Sequence, residues 1–479
     1  MLGKLVKQSA IYGISTILGR LLSYLLTPYY TRLFAPSEYG IITDLYALIP
    51  FALVVLTMGM ESSYFRFGAK AEAEGGDVEA AKGRLFSSTW GAMILASLLF
   101  VGVVALWRVP LSALMGDVYV TSPDLVVLVA LVVMFDVSTA IPFARFRERG
   151  ESGRYVLLKL MNIVLQVGFA VGFGFMGLFS TRFGVGWVVV ANLLASAITF
   201  CVTLCVSRPY RLPSLNWPLL RRVLIYSLPL LVSGVAATAT EFIDRQMIKY
   251  MISEGAMAQL GLYGAVTKIA VVMTLFTQMY RLAAEPFFLA NFRKEEFVES
   301  NAAAMKYYII VTIAIFLGIT LFRDLFALIV GRDFREGISI LPIILMSNLL
   351  MGVWLNLSFW YKREERTEFA LYITLAGLVS TVVANLVLIP KFGYSGAAWA
   401  RLVSESVMVL FSYSLLRRYF PIPYELGRIG EYVVLGGVIY WVCGRVDLYF
   451  VDVAMLGVYG LYALWRERVD VVGLLKRVF

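Results

Sequence analysis

The chain has 479 residues, 60% of them hydrophobic and 15% charged, with 42 Lys and Arg against 32 Asp and Glu. Soluble domains are about 45–50% apolar and about 25% charged, so this composition excludes a string of soluble domains. The net charge of +10 does not point to nucleic acid, because the basic residues form no single patch and instead punctuate the ends of apolar runs, as orientation signals do.

Apolar runs of about twenty residues, the length a helix needs to cross a bilayer, recur along the chain. They fall near 9–30, 40–60, 85–107, 125–144, 155–179, 185–207, 224–244, 261–288, 307–330, 338–361, 367–389, 394–416, 430–446 and 450–465. Backbone amides in lipid find no water, so these runs must be helices. The expected fold class is an all-α membrane protein with about 14 transmembrane helices. The opening Met1-Leu2-Gly3-Lys4 leads into the first run with no small-residue cleavage site, which reads as a retained helix and not a signal peptide.

The polar residues inside these runs are unevenly placed. In the first span Tyr12, Thr16, Arg20, Tyr24, Thr27 and Thr31 recur at steps of three or four, one polar stripe with Arg20 near its middle. Arg20 has no opposite charge one turn away, which favours a cavity-lining role. The second span carries Asp44, Thr57 and Glu61. Asp136 stands alone in the fourth span, and Lys159, Asn162 and Gln166 form a stripe in the fifth. The seventh ends in Glu241, Asp244 and Arg245. The eighth carries Thr267, Thr274, Gln278, Arg281 and Glu285, with Lys268 beside them. Arg281–Glu285, Glu241–Arg245 and, in the twelfth span, Arg401–Glu405 are four apart, so each pair can neutralise itself as readily as it can serve a ligand. Asp44, Glu61 and Lys268 have a plain alternative, snorkelling to the interface. Cys201, Cys205 and Cys443 lie inside apolar runs and read as structural thiols, since no His exists to complete a zinc set. No GxxxxGK[ST] occurs, so no ATP engine and no cofactor is expected. Without His, carboxylates must carry any coupled proton.

With the N-terminus placed in the cytoplasm, 27 of the 42 basic residues fall on inside segments, nine on outside segments and six within spans. That bias predicts both termini inside. The longest outside loop, about Arg108 to Asp124, leaves no room for an extracytoplasmic domain.

An internal repeat subdivides the chain. At a shift of 224 residues Tyr39-Gly40 meets Tyr263-Gly264, Thr43 meets Thr267 and Glu61 meets Glu285. At a shift of 209, Arg182-Phe183-Gly184 meets Lys391-Phe392-Gly393. These matches predict two six-helix lobes, 1–210 and 211–420, related by a pseudo-twofold axis along the membrane normal, with two further helices and a cytoplasmic tail in 421–479. Pro28, Pro50, Pro229 and Pro286 all fall in spans 1, 2, 7 and 8, where they can bend the backbone of the helices expected to line the path between lobes.

The run Ala10-Ile11-Tyr12-Gly13, Leu18-Gly19-Arg20, Pro28-Tyr29-Tyr30-Thr31-Arg32, Ser37-Glu38-Tyr39-Gly40 and Gly59-Met60-Glu61 through Arg66-Phe67 resembles the polysaccharide transporter (O-antigen flippase) family. That family sits in the multidrug/oligosaccharidyl-lipid/polysaccharide (MOP) exporter superfamily. The resemblance implies a non-enzymatic flippase of a bacterial or archaeal cytoplasmic membrane. It also implies a central cationic cavity and a substrate of sugars on a polyprenyl diphosphate, handed on to polymerase machinery. In that picture Arg20, Tyr24, Lys268, Gln278 and Arg281 face the substrate, since a guanidinium fork can bond two diphosphate oxygens at once. Asp44, Glu61, Glu241, Asp244 and Glu285 are then candidates for binding a coupling H⁺ or Na⁺. The alternatives are a lipid II flippase, a multidrug or cation antiporter of the same superfamily, or, from another class, a membrane-embedded glycan polymerase or ligase. The last would be expected to present a catalytic extracytoplasmic loop.

Overall fold

In the computed structural model residues 24, 26–207, 214–291, 296–364, 366, 368–446 and 448–467 are described. Among them there is no β-strand. Among the described residues ten helices are long and apolar enough to cross a membrane, or eleven if Ala256–Ile269 and Val271–Glu285, bent 48° at their junction, form one span. Tyr394–Tyr419 and Tyr449–Arg466 are long enough but more polar, the former through Arg401, Glu405 and a series of serines. Most of the first expected span lies outside the described residues.

The chain divides into two compact units, residues 1–261 and 262–479. In the first, Gly186–Ser207 packs against both Asp124–Glu148 and Ser152–Phe175, and Val78–Leu106 packs against Asp124–Glu148. The long helix Trp217–Met251 lies along Pro36–Thr57. Tyr64, Phe86, Met93, Val133, Val137 and Ile141 fill the core between them, each essentially sealed from solvent. At about 25 cal/mol per Å² of apolar surface, such side chains contribute about 1.5–3 kcal/mol each in water, but in lipid the gain comes from packing and not from escape from water.

In the second unit Glu368–Phe392 pairs with Tyr394–Tyr419, and Leu341–Leu357 packs on the latter. Small residues set the first of these crossings. A Cβ on Gly377 would lie 2.4 Å from Met408 Sδ, and Ser404 Oγ donates to the Gly377 carbonyl at 2.8 Å while accepting from Thr381 at 2.7 Å. Close approach through small residues, sealed by hydroxyl bonds, is how helices associate without a hydrophobic drive.

The two C-terminal helices are fastened to Phe297–Leu321 by a buried cation. Lys306 Nζ reaches Glu425 at 3.0 Å and Glu467 at 2.8 Å, and the Tyr432 hydroxyl donates to Glu467 at 3.0 Å. Burial alone would raise the Glu467 carboxyl, but Lys306 and Tyr432 outweigh it and hold the group below its usual range. A depressed carboxyl stabilises the fold above its unfolded-state value, about 4, and that contribution is lost as pH falls. Thermal unfolding in detergent is expected to show this acid loss, and Glu467→Gln is expected to lower stability at neutral pH and flatten the acid limb. An unchanged limb in Glu467→Gln would contradict the assignment.

The backbone departs from the expected helices in the second and eighth spans among others. Pro36–Thr57 ends at Met58 and Gly59, both left-handed (φ 50° and 66°), before the chain resumes as Met60–Glu74. The eighth span, expected to be unbroken, is interrupted at Ala270. The helices run on through Pro50 and Pro229, so these prolines are not where the chain breaks. A tertiary partner for the orphaned amides is what lets a membrane helix tolerate proline.

Candidate functional site

Three sets of charges stand out in the helices. The most enclosed centres on Asp44, in the first half of Pro36–Thr57. Its carboxylate, fully buried, accepts from Lys249 Nζ at 2.5 Å, Tyr119 Oη at 2.6 Å and Gln246 Nε2 at 2.7 Å. Gln246 and Lys249 are three residues apart on Trp217–Met251 and therefore share a face. Tyr119 comes from the short helix Asp117–Val120 in the segment before Asp124, and its ring lies 4.8 Å from Lys249 Nζ. Tyr250 closes the same side, its ring 5.1 Å from Lys249 Nζ and its hydroxyl donating to the Leu114 carbonyl at 3.1 Å. A buried ion pair survives only when its remaining lone pairs are also bonded, and here three donors meet one carboxylate.

Beside this cluster two backbones touch. A Cβ on Gly40 would lie 1.9 Å from the Met257 carbonyl oxygen, and one on Gly261 would lie 2.0 Å from the Pro36 oxygen. Only glycine permits this approach at either position. Gly40→Ala is therefore expected to force the backbones apart and cost about 1–3 kcal/mol of thermal stability. A change within experimental error would show that the contact yields without strain.

A second set lies in the same unit. Glu61 forms an ion pair with Arg147, whose guanidinium sits 5.1 Å from the Phe65 ring and 5.8 Å from that of Tyr155. The neighbouring Glu148 accepts from the Tyr64 hydroxyl at 2.5 Å and pairs with Lys82 at 2.8 Å, and Lys82 also reaches Glu72 at 2.5 Å. The third set, in the second unit, joins Arg281 to Glu285 at 3.3 Å and Glu285 to Lys362 at 2.9 Å. Arg281 remains 60% exposed.

The expected site residues are thus distributed as follows. Arg20 lies outside the described residues, and Tyr24 is half-buried at their start. Lys268, near the end of Ala256–Ile269, and Gln278 are half-buried, while Asp244 is buried and partnered. The Glu241 side chain is outside the described set. Arg281 and Glu285 come together at the spacing of one turn. Asp44 does not snorkel, being sealed inside by Lys249. Glu61, a candidate for ion coupling with snorkelling as its plain alternative, pairs with Arg147 from another helix. Lys249, Gln246, Tyr119, Arg147 and Lys362 were not legible as partners. Lys249 reads as an outside helix end, and its carboxylate is 205 residues away.

The cysteines are all free: Cys201 and Cys205 exposed, Cys443 buried. Among the described residues no group of three His, Cys, Asp or Glu side chains could hold a metal.

Among solved structures the chain is similar to the lipid II flippase MurJ in an inward closed conformation, with a TM-score of 0.73, 15% identity, and 96% of this chain and 99% of that one covered. It is similar to an inward-facing multidrug resistance MATE transporter of the MOP superfamily, with a TM-score of 0.67, 16% identity and coverage of 84% and 96%. It is also similar to the MATE multidrug transporter DinF-BH, with a TM-score of 0.62, 17% identity and coverage of 87% and 95%. At these identities the likeness establishes the fold. No curated protein sequence matches. The profile of the family described as "Polysaccharide biosynthesis protein" matches residues 5–292, more than half of the 479. The chain therefore belongs to the polysaccharide biosynthesis protein family, with a helical fold like that of these flippase and multidrug transporter structures.

Proposed function

We propose that the chain is a flippase for polyprenyl-diphosphate-linked oligosaccharide, the repeat unit of an O-antigen or related polysaccharide. It would work by alternating access across a bacterial or archaeal cytoplasmic membrane, with both termini in the cytoplasm. The reading is carried by one observation: a polysaccharide-biosynthesis profile on a fold that the lipid II flippase matches over 96% of this chain, against 84% and 87% for the two multidrug transporters. A lipid-linked glycan needs cations for the diphosphate, polar lining for sugars and a lateral path for the tail. Arg20, Tyr24, Lys268, Gln278 and Arg281 are the residues we assign to the head group. The lobes 1–210 and 211–420 are the bodies we take to rock about it. H⁺ or Na⁺ supplies the drive, and polymerase machinery takes up the product.

In this reading the Asp44–Lys249 cluster and the Gly40–Met257 contact close the end of the helices that the charge bias assigns to the outside. They must part in each cycle. The test is reconstitution into liposomes with a fluorescent lipid-linked oligosaccharide, lipid II, or an organic cation. Protein-dependent exposure of the first to an impermeant quencher is expected. Movement of only lipid II or of only the cation would replace the substrate, and movement of none above empty liposomes would overturn the reading.

A further inference from the structure

The carboxylates of the membrane helices mostly carry counter-charges in this structure. Asp44 has Lys249, Glu61 has Arg147, Glu285 has Arg281 and Lys362, and Glu431 has Arg466 at 3.3 Å. In each such pair, removing the charge of one member strands that of the other. Asp136 is different. Among the described residues it forms no ion pair. Its carboxylate accepts from the Ser196 hydroxyl, and the Lys159 charge acts on it from a distance.

Its depth is equally distinctive. Asp136 is the thirteenth of the 25 residues of Asp124–Glu148, about 18 Å of helix from either end. The three helices around it bring polar groups to the same level. Ser196 is at the middle of Gly186–Ser207, Asn162 and Gln166 straddle the middle of Ser152–Phe175, and Tyr46 is at the middle of Pro36–Thr57. These groups bond to one another. Gln166 Nε2 donates to Tyr46 Oη at 3.1 Å, Asn192 also bonds that hydroxyl, and Asn162 Nδ2 donates to Thr199 Oγ1 at 3.1 Å. Four helices of the first unit thus meet in a polar layer at mid-depth, where an ionised side chain is most costly and is usually functional.

From this placement we infer that Asp136 is the proton-binding site that couples transport to a proton gradient. The inference rests on the transport reading above. Hard cations take several oxygen ligands, and among the described residues no group of three His, Cys, Asp or Glu side chains is placed to hold a metal ion. A proton needs one carboxylate oxygen and a path. The step is a plain protonation: a proton from one aqueous side forms an O–H bond on Asp136 and is later released to the other. The titratable groups facing it are Lys159 on Ser152–Phe175 and Tyr46 on Pro36–Thr57; Gly186–Ser207 contributes the neutral Ser196. Val78–Leu106 contributes the neutral Trp90, whose indole donates to the Ser138 carbonyl at 2.9 Å. Protonation cancels the attraction between Asp136 and Lys159, whose ammonium still has the Phe143 ring at 4.6 Å. The packing of Asp124–Glu148 against Ser152–Phe175 thereby becomes sensitive to the proton.

Two readouts on the full chain in liposomes test this. In pH-difference infrared spectra, a carboxyl band is expected to titrate in the unaltered protein and to vanish in Asp136→Asn. In flipping assays, an imposed proton gradient is expected to accelerate the unaltered protein several-fold. Asp136→Asn should flip at its gradient-free rate whatever the gradient. Asp136→Glu, which keeps the carboxyl, should retain both signals. If the Asn variant does not insert, Asp136→Ser is the second neutral variant. A gradient response surviving in a neutral variant, or the absence of a titrating band that depends on Asp136, would overturn the inference. Because the infrared signal needs no substrate, its presence without any flipping would instead fault the transport reading.

Discussion

Lys249→Met is expected to lower the stability of the purified protein by about 3–5 kcal/mol, the cost of leaving a buried carboxylate without its cation. Asp44 is fully buried and Lys249 nearly so, and a site this enclosed keeps bulk solvent from replacing the lost bond. Gln246 and Tyr119 still donate, which softens the loss without supplying charge. Removing both charges in Asp44→Asn, Lys249→Met is expected to recover more than half of it, because the double variant strands no ion. Thermal unfolding in detergent measures both. Additive losses in the double variant would mean that the two groups do not act as a pair.

Arg20→Ala is expected to abolish flipping while expression and membrane insertion stay normal. The argument is chemical. Arg20 sits in a polar stripe with no acid one turn away, and a planar guanidinium can hold two diphosphate oxygens. Arg20→Lys should recover only part of the rate, since an ammonium provides the charge without the fork. Full activity in Arg20→Ala would remove the residue from the site and shift attention to the exposed face of Arg281.

The expected spans agree with the helices because length and apolar content are local properties. Asp124–Glu148 and Gly186–Ser207 lie within a few residues of the spans at 125–144 and 185–207. The break at Ala270 left no mark, because alanine is the best of helix formers and nothing nearby announces an interruption. The partners of the buried acids were illegible for a different reason. Tyr119, Gln246 and Lys249 reach Asp44 across 75 to 205 residues, and Arg147 reaches Glu61 across 86, so no periodicity links them. The repeat gives no hint of the partner of Glu61, because Arg147 comes from another helix. Asp136 was visible as a lone charge, but the polar level around it exists only once four helices are packed.

The most direct test of the account is whether the helix ends that meet at Gly40 and Gly261 must separate for transport. Cysteines at Ser37 and Met257, in a chain whose Cys201, Cys205 and Cys443 have been replaced by serine, let a bifunctional thiosulfonate reagent place a reducible crosslink beside the Gly40–Met257 and Gly261–Pro36 contacts. Flipping of the lipid-linked oligosaccharide should stop on crosslinking and return on reduction. A crosslinked protein that flips at its full rate would contradict alternating access at this end of the helices.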